Sequence, residues 1–149
     1  MKEIKIFCFG FGQTAKKFIK KIDSENLKIN LTTTSREKSE KRSFGDLDYE
    51  SFQFSENSFD HKLIENLKSS DHILSSIAPV NGEDIVIKNF QKNFEDSKIK
   101  WITYLSATSV YGNHNGDWVD EKSKTNPTSI NGIERLNAEK SWLNLSEKK

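Results

Sequence analysis

The stretch IKIFCFGFGQTAKKFIKKI, residues 4–22, decides the fold class of this 149-residue chain. Its first six residues, Ile4–Phe9, are rich in β-forming side chains and stop at a Gly-Phe-Gly turn, which is typical of a buried strand. From Gln13 onward, apolar residues recur at helical spacing on one face and lysines occupy the other. The apolar positions are Ala15, Phe18, Ile19 and Ile22. The change of period across residues 10–12 predicts a strand, a tight turn and a helix.

Strand-like and helix-like segments continue to alternate along the rest of the chain. Strand-like patterns occupy residues 27–34, 49–54, 72–78 and 99–105, and helical faces occupy residues 63–67, 86–94 and 130–145. The polar residues 35–48 and 113–129 are predicted to be loops. Because strands that alternate with helices form parallel sheets with right-handed crossovers, we predict an α/β fold. It is a three-layer α/β/α Rossmann fold with a parallel, doubly wound sheet in the order 3-2-1-4-5.

The composition narrows the class of protein. Lys and Arg number 23 and Asp and Glu number 22, so the balanced charge argues against a nucleic-acid binder. Apolar runs fall short of the roughly 20 residues that a membrane helix needs. The single cysteine, Cys8, excludes an intramolecular disulfide and fits a cytoplasmic location. His61, His72 and His114 are too scattered for a metal site, so we expect none.

The turn Gly10-x-Gly12-x-x-Ala15 lies between the first strand and the first helix, where a dinucleotide-binding turn is found. The first glycine allows the tight turn, the second allows the backbone to approach a pyrophosphate, and a small third residue allows close packing of the helix. The helix N-terminus would attract the phosphates. The alternative is a tight turn that binds nothing.

The end of the second strand bears on the choice between NAD and NADP. An acidic residue there would bind the ribose 2′-hydroxyl of NAD, but this strand ends in Thr34-Ser35-Arg36 and the first acid is Glu37. Hydroxyl groups and a guanidinium suit a 2′-phosphate, which favours NADP over NAD. The alternative is that Arg36 is an ordinary solvated loop residue.

Taken together, four motifs resemble the NAD-dependent epimerase/dehydratase group, which comprises extended and atypical short-chain dehydrogenase/reductases. The motifs are the glycine turn, LSATSVYG at 105–112, WVDE at 118–121, and PTS at 127–129 leading to Gly132 and Ala138-Glu139. The resemblance runs in order over nearly the whole chain. It implies an NAD(P)-binding domain over residues 1–149 whose cofactor lies across the carboxyl ends of the strands, and relatives that are oxidoreductases or sugar-nucleotide-modifying enzymes.

On this basis, twelve residues at the ends of four strands are expected to contact the cofactor. They are Gly10, Phe11, Gly12, Gln13, Thr14, Thr34, Ser35, Arg36, Ile77, Ala78, Pro79 and Ser106. The other expected partner is a small molecule, either a sugar nucleotide or a carbonyl compound. A homodimer is a further hypothesis, because Phe90, Phe94 and Trp142 could be partly exposed on the helices that flank the fifth strand. The alternative is that these rings belong to the core.

The resemblance fails at the residues that carry the family's chemistry, a Ser or Thr, a Tyr and a Lys. The matching positions hold Ala107, Asn131 and Arg135, none of which can perform the corresponding proton transfer. Ser106, Thr108 or Tyr111 could supply a substitute catalytic hydroxyl. The alternative is that these three residues only pack at the strand end and form hydrogen bonds in the turn.

The second departure is length, since the family's C-terminal substrate-binding region is expected to be absent from this chain. Two hypotheses follow. The chain is an NAD(P)-binding protein of the epimerase/dehydratase type, or it is a non-catalytic dinucleotide-binding or interaction module.

Overall fold

A computed structural model describes residues 3–147, so residues 1–2 and 148–149 of the predicted domain lie outside the described part. The described chain forms one mixed sheet and four α-helices. The strands are β1 Ile4–Phe9, β2 Ile29–Ser35, β3 Glu40–Phe44, β4 Leu47–Gln53, β5 His72–Ser75 and β6 Trp101–Tyr104. The helices are α1 Gln13–Ser24, α2 Leu63–Ser69, α3 Ile85–Glu95 and α4 Ile130–Ser146, with a short 3-10 helix at Thr108–Val110.

The sheet has the order β3-β4-β2-β1-β5-β6. All neighbouring pairs are parallel except β3 and β4, which form an antiparallel hairpin at one edge. The doubly wound α/β fold is confirmed, but the strand order is not exactly the predicted one, because the antiparallel strand β3 adds a sixth strand at the edge of the five predicted strands. The predicted loop over residues 35–48 is wrong, because it contains β3 and the start of β4.

The physical reason for this error lies in the composition of β3. The strand EKRSF contains one apolar residue, Phe44, because an edge strand has little core to face. Its hairpin closes through Gly45 at φ +62°, a conformation that suits glycine. The Arg42 side chain forms ion pairs with Glu37 and Glu40, which occupy the charged surface of this edge.

The core lies on both faces of β1, whose residues alternate between two clusters. Phe7 and Phe9 point toward the side of α2, α3 and α4, whereas Ile6 and Cys8 point toward α1. Phe9 is fully buried, and its ring centroid lies 4.8 Å from that of Phe7 and 5.3 Å from that of Phe90. A strand buried on both faces explains why residues 4–9 carry a nearly continuous apolar run.

Helix α4 has a different buried face from the one that its sequence predicts. The apolar residues within the predicted helix 130–145 indicate contacts through Ile133, Leu136, Trp142 and Leu143, but the structure buries Trp142 and Leu145 and exposes Ile133 and Leu143. The rotation of the helix is set by Gly132, where a Cβ atom would lie 2.5 Å from the Ser109 carbonyl oxygen. Only a glycine lets α4 approach the 3-10 helix at this distance.

The rings of Phe90, Phe94 and Trp142 are all buried, so the core interpretation of these residues is confirmed. The homodimer hypothesis loses the exposed rings on which it rested. The alternation of Leu27, Ile29 and Leu31 predicts that all three face inward, but Leu27 lies before β2 and is exposed. Within residues 3–147, no helix has the length and apolar character needed to cross a membrane.

Candidate functional site

The turn between β1 and α1 is held by the ends of two neighbouring strands. Gly10 has φ +79°, and its N–H donates a hydrogen bond to Thr34 Oγ1 at 3.0 Å. On the other side, Ser76 Oγ donates to the Phe9 carbonyl oxygen at 3.0 Å. A Cβ atom at position 10 would lie 2.8 Å from Ser76 Oγ and 3.2 Å from Ile77 Cγ1. Both the backbone angle and the available space therefore require glycine at position 10.

Gly12 differs from Gly10 in both respects. Its backbone is extended, with φ −80° and ψ −171°, a conformation open to any residue. A Cβ atom built there meets no heavy atom of the described chain within 4 Å, apart from its own neighbours in sequence. The fold itself does not require glycine at this position. What the missing side chain provides is open space directly in front of α1.

That space adjoins a helix end with unpaired N–H groups. The first hydrogen bond within α1 runs from Lys16 N to the Gly12 carbonyl oxygen at 3.0 Å, which leaves the N–H groups of Gln13, Thr14 and Ala15 outside the helical pattern. No side chain of residues 3–147 caps this helix. An uncapped helix N-terminus attracts anions through its N–H groups and its dipole.

The other long helices show what capping does in this fold. Asp84 accepts hydrogen bonds from the first turn of α3, and Ser129 accepts one from the Gly132 N–H in α4. The N-termini of α3 and α4 are therefore capped by side chains of the protein itself. Among the three long helices of the described residues, α1 is the one whose first turn is free to bind a ligand. The side chain of Ala15 is fully buried beneath this turn, as the third position of the motif requires.

Three polar residues follow one another at the carboxyl end of β2. Thr34 is buried and accepts the hydrogen bond from Gly10, as described above. The buried Ser35 Oγ has no hydrogen-bond partner in the described chain. Arg36 is exposed, and it forms no hydrogen bond or ion pair with another residue of 3–147. Its guanidinium is therefore available to a ligand, unlike that of Arg42, which pairs with Glu37 and Glu40.

The remaining predicted contacts follow β5 and β6. β5 is shorter than predicted and ends at Ser75, so Ile77, Ala78 and Pro79 lie in the loop that leads to α3. Ser106 lies directly after β6 and is exposed. Because β1, β2, β5 and β6 are parallel, all the predicted contact residues lie at one edge of the sheet. Of the predicted contact residues, the structure places both Thr34 and Ile77 beside Gly10.

The side chain of Phe11 points away from this edge. Its ring lies 5.5 Å from the ring of Phe44 and 5.2 Å from that of Tyr49, both in edge-to-face geometry. The Lys16 ammonium lies 5.8 Å above the Phe11 ring. Phe11 therefore joins the glycine turn to the β3–β4 hairpin, and its ring is half-buried there. Sequence reasoning missed this contact because it treated residues 40–44 as loop.

A chain of side chains on the opposite side of the site was also missed. The Arg135 Nη1 atom donates to the Leu105 carbonyl oxygen at 2.7 Å and to the Tyr104 hydroxyl at 3.3 Å. The Tyr104 ring stacks on that of Trp142, with centroids 6.0 Å apart. Burial raises the pKa of Tyr104, and the hydrogen bond from Arg135 opposes that rise. The phenol therefore stays protonated at neutral pH.

Of the three positions that match the expected catalytic residues, Ala107 and Arg135 lie at the end of β6. Ala107 is exposed and precedes the 3-10 helix, Asn131 is exposed in the first turn of α4, and Arg135 holds the end of β6. Ser106 and Thr108 are exposed beside them, and the ring of Tyr111 lies 6.4 Å from that of His114. A substitute catalytic hydroxyl thus stays a hypothesis on these residues.

Several solved structures have a fold similar to that of this chain. A conserved protein of unknown function from Silicibacter pomeroyi DSS is 27% identical with TM-score 0.71, over 93% of this chain and 47% of that chain. UDP-glucuronic acid 4-epimerase from Bacillus cereus, solved with NAD, is 16% identical with TM-score 0.75, over 97% and 53% of the two chains. UDP-N-acetylglucosamine 4-epimerase from Bacillus cereus is 20% identical with TM-score 0.71, over 98% and 55%.

No protein-family model and no curated protein matches the sequence. The chain spans about half the length of the solved proteins above. At these identities the similarity establishes the fold: the chain has the same Rossmann-like α/β fold as the two 4-epimerases.

Proposed function

We propose that residues 1–149 form an NAD(P)-binding domain that holds a nicotinamide dinucleotide across the carboxyl edge of the sheet. The observation that carries the proposal is the open space at Gly12, because neither backbone nor neighbours require glycine there. A pyrophosphate in that space would accept hydrogen bonds from the uncapped first turn of α1. The solved UDP-glucuronic acid 4-epimerase of the same fold contains NAD, which supports the choice of ligand.

The order of the strands determines how the dinucleotide would lie. The sheet reverses its winding between β1 and β5, and ligands of such folds occupy the crevice at this switch point. With the pyrophosphate at Gly12, the adenosine half extends over β2 toward Thr34, Ser35 and Arg36. The nicotinamide half extends over β5 and β6, toward residues 77–79 and Ser106.

NADP is the favoured cofactor on the evidence of Arg36. Its guanidinium is exposed and unpaired among the described residues, and it follows two hydroxyl residues where the 2′-position of the adenosine ribose would lie. A guanidinium can donate two parallel hydrogen bonds to a phosphate. The solved epimerase holds NAD, so the preference for NADP rests on this residue alone.

The proposed activity is of the epimerase/dehydratase type, on a sugar nucleotide or another carbonyl compound. A variant of the Bacillus cereus UDP-glucuronic acid 4-epimerase was solved with a UDP-sugar and NAD, which supports this class of substrate. The bound nicotinamide would supply hydride transfer. This chain's residues would bind and orient the dinucleotide.

We propose a cytoplasmic location for the protein, because a single cysteine fits a reducing compartment.

A second candidate function is a dinucleotide-binding module without catalysis. It is favoured by the three positions that carry the chemistry of the resembling family, which here hold Ala107, Asn131 and Arg135. Steady-state turnover separates the two candidates. Oxidation or reduction of the nicotinamide with a UDP-sugar or carbonyl substrate supports the enzyme, whereas saturable binding without turnover over a broad substrate panel supports the module.

Thermal unfolding tests the binding that both candidates share. A ligand that binds only the folded state at a hundredfold excess over Kd stabilises it by about 2.7 kcal/mol. We therefore expect NADH and NADPH to raise the Tm of the wild type. The variant Gly12→Val should fold, because its side chain enters open space, but it should lose both responses. An unchanged Tm of the wild type at millimolar dinucleotide would refute the proposal.

A further inference from the structure

The carboxyl end of β6 is held by one side chain from α4. Arg135 Nη1 donates at 2.7 Å to the carbonyl oxygen of Leu105 and at 3.3 Å to the hydroxyl of Tyr104. The N–H of Leu105 donates to the Ser75 carbonyl oxygen at 2.9 Å, which ties the same residue to β5. Arg135 thus fixes, from a helix 30 residues further along the chain, the two residues that directly precede Ser106.

The contacts continue from β6 to the loop that precedes α3. Tyr104 stacks on Trp142 with an interplanar angle of 23°, and Trp142 Nε1 donates to Asp84 Oδ2 at 2.8 Å. Asp84 Oδ1 accepts from the first turn of α3, at Val86 N and Ile87 N. Asp84 ends the loop 76–84. The same network therefore holds both segments over which the nicotinamide half would lie.

We infer that Arg135 is a positioning residue for the nicotinamide half of the bound dinucleotide, acting through Leu105 and Tyr104. The inference rests on the proposed function. Arg135 is not a proton-transfer residue, since a guanidinium stays protonated in proteins. Its planar group suits the observed pair of acceptors, a carbonyl and a phenol on successive residues, better than a compact ammonium does.

Comparison of ADP with NADH isolates this role. ADP has the adenosine and the pyrophosphate but lacks the nicotinamide half, so it reports on the part of the site that Arg135 does not reach. We expect Arg135→Gln to lower NADH affinity about tenfold, the equivalent of one lost hydrogen bond to a charged group, and to change ADP affinity less than about twofold. Arg135→Lys should recover part of the NADH affinity, because an ammonium can still donate to Leu105.

Two further variants control the test. Lys140→Gln removes one positive charge from the exposed face of α4 and should change neither affinity. Tyr104→Phe removes only the phenol acceptor, so it should lower NADH affinity less than Arg135→Gln does and leave ADP binding unchanged. This variant carries the test if Arg135→Gln does not fold, as judged by circular dichroism and urea unfolding.

Each remaining outcome contradicts the inference in a distinguishable way. An equal loss of ADP and NADH affinity in Arg135→Gln would assign Arg135 a purely structural role. Unchanged NADH affinity in both Arg135→Gln and Tyr104→Phe would remove the residue from the site. If the wild type binds neither ligand, the proposed function itself fails. If it binds ADP and NADH equally tightly, the adenosine half of the proposal survives and the inference about Arg135 does not.

Discussion

Trp142 and Asp84 are joined by a hydrogen bond of 2.8 Å from the indole Nε1 to Oδ2, across 58 residues of sequence. The other carboxylate oxygen of Asp84 caps α3. One side chain therefore begins a helix and also holds a second helix, α4, against the sheet. Substitutions at Asp84 can therefore separate the stability that comes from the cap of α3 from the stability that comes from the bond to Trp142.

We predict that Asp84→Ala lowers the free energy of unfolding by about 2 kcal/mol or more, since it removes a helix cap and leaves the buried indole N–H without its acceptor. Asp84→Ser can still cap α3, so it should cost less than Asp84→Ala. Urea unfolding followed by circular dichroism measures both variants. Equal losses for Asp84→Ala and Asp84→Ser would show that the cap of α3 contributes nothing and that the whole loss comes from the bond to Trp142.

The two glycines of the turn should respond differently to alanine. At Gly10, alanine is forced to φ +79° and its Cβ meets Ser76 Oγ and Ile77, so we expect a loss of stability of about 2 kcal/mol or more. At Gly12, alanine meets open space in a β-region conformation, and the cost should be below about 1 kcal/mol. Urea midpoints of the two variants, measured without ligand, test the difference. A similar loss at both positions would contradict this account of the turn.

The role of Arg36 in cofactor choice can be tested against a matched arginine. Arg36→Ala should lower NADPH affinity by roughly tenfold or more, because charge-assisted hydrogen bonds to the 2′-phosphate are lost. NADH affinity should change less than about twofold. Arg42→Ala removes the same charge from a neighbouring surface, where Glu37 and Glu40 already pair with it, and should preserve the preference for NADPH. Titration by nicotinamide fluorescence gives both affinities.

If the wild type binds NADH and NADPH equally well, the domain and its glycine turn stand and only the assignment to Arg36 fails. Loss of the preference in Arg42→Ala would instead point to the general charge of this edge.

The sequence was sufficient for the parts of the site that depend on local pattern. The change from strand to helix period across residues 10–12 predicted the β1–α1 turn. The doubly wound sheet followed from the alternation of strands and helices along the chain, although the sixth strand was absent from the predicted order. Both depend on neighbouring residues and on general rules of chain geometry, so no distant contact had to be known.

The missed features depend on distant contacts. β3 carries only Phe44 as an apolar residue, so nothing in its own pattern indicates a strand until its pairing with β4 is known. The contact between Arg135 and Tyr104 requires the rotation of α4, which is set where Gly132 meets the Ser109 carbonyl. The apolar spacing of α4 alone assigned burial to Ile133 and Leu143, which are exposed.

The single cysteine should be inert in the folded protein. Cys8 is fully buried in β1, and burial raises the pKa of its thiol from 9.0 to about 12. Three pKa units correspond to about a thousandfold less thiolate, which is the reactive species. We therefore expect no reaction of native protein with a thiol reagent at pH 8 over minutes and complete reaction in guanidinium. Rapid modification of the native protein would show that β1 is accessible from solvent.

The segment that follows Arg36 is anchored by a hydrogen bond with a definite pH dependence. Ser39 Oγ donates to Asp60 Oδ2 at 2.6 Å and accepts from the Gln53 N–H at 3.0 Å. The hydrogen bond from Ser39, followed by one from the Lys62 N–H, lowers the pKa of Asp60. The folded state therefore favours the carboxylate. The unfolded chain has the ordinary Asp pKa of about 3.9, and the folded protein has a lower one. The ionised Asp60 therefore contributes fully to stability above about pH 3.9, and this contribution is lost as the pH falls through the lower pKa of the folded state.

We predict that Ser39→Ala is less stable than the wild type by a constant amount between about pH 7 and pH 5. The difference should narrow below about pH 4, as the pH falls toward the lowered pKa of Asp60 in the folded wild type. Urea midpoints across this range measure the difference. Asp60→Asn serves as the control, because an amide cannot titrate and Ser39→Ala should then have a pH-independent effect. A difference between wild type and Ser39→Ala that stays constant to pH 2 would separate Ser39 from the ionisation of Asp60.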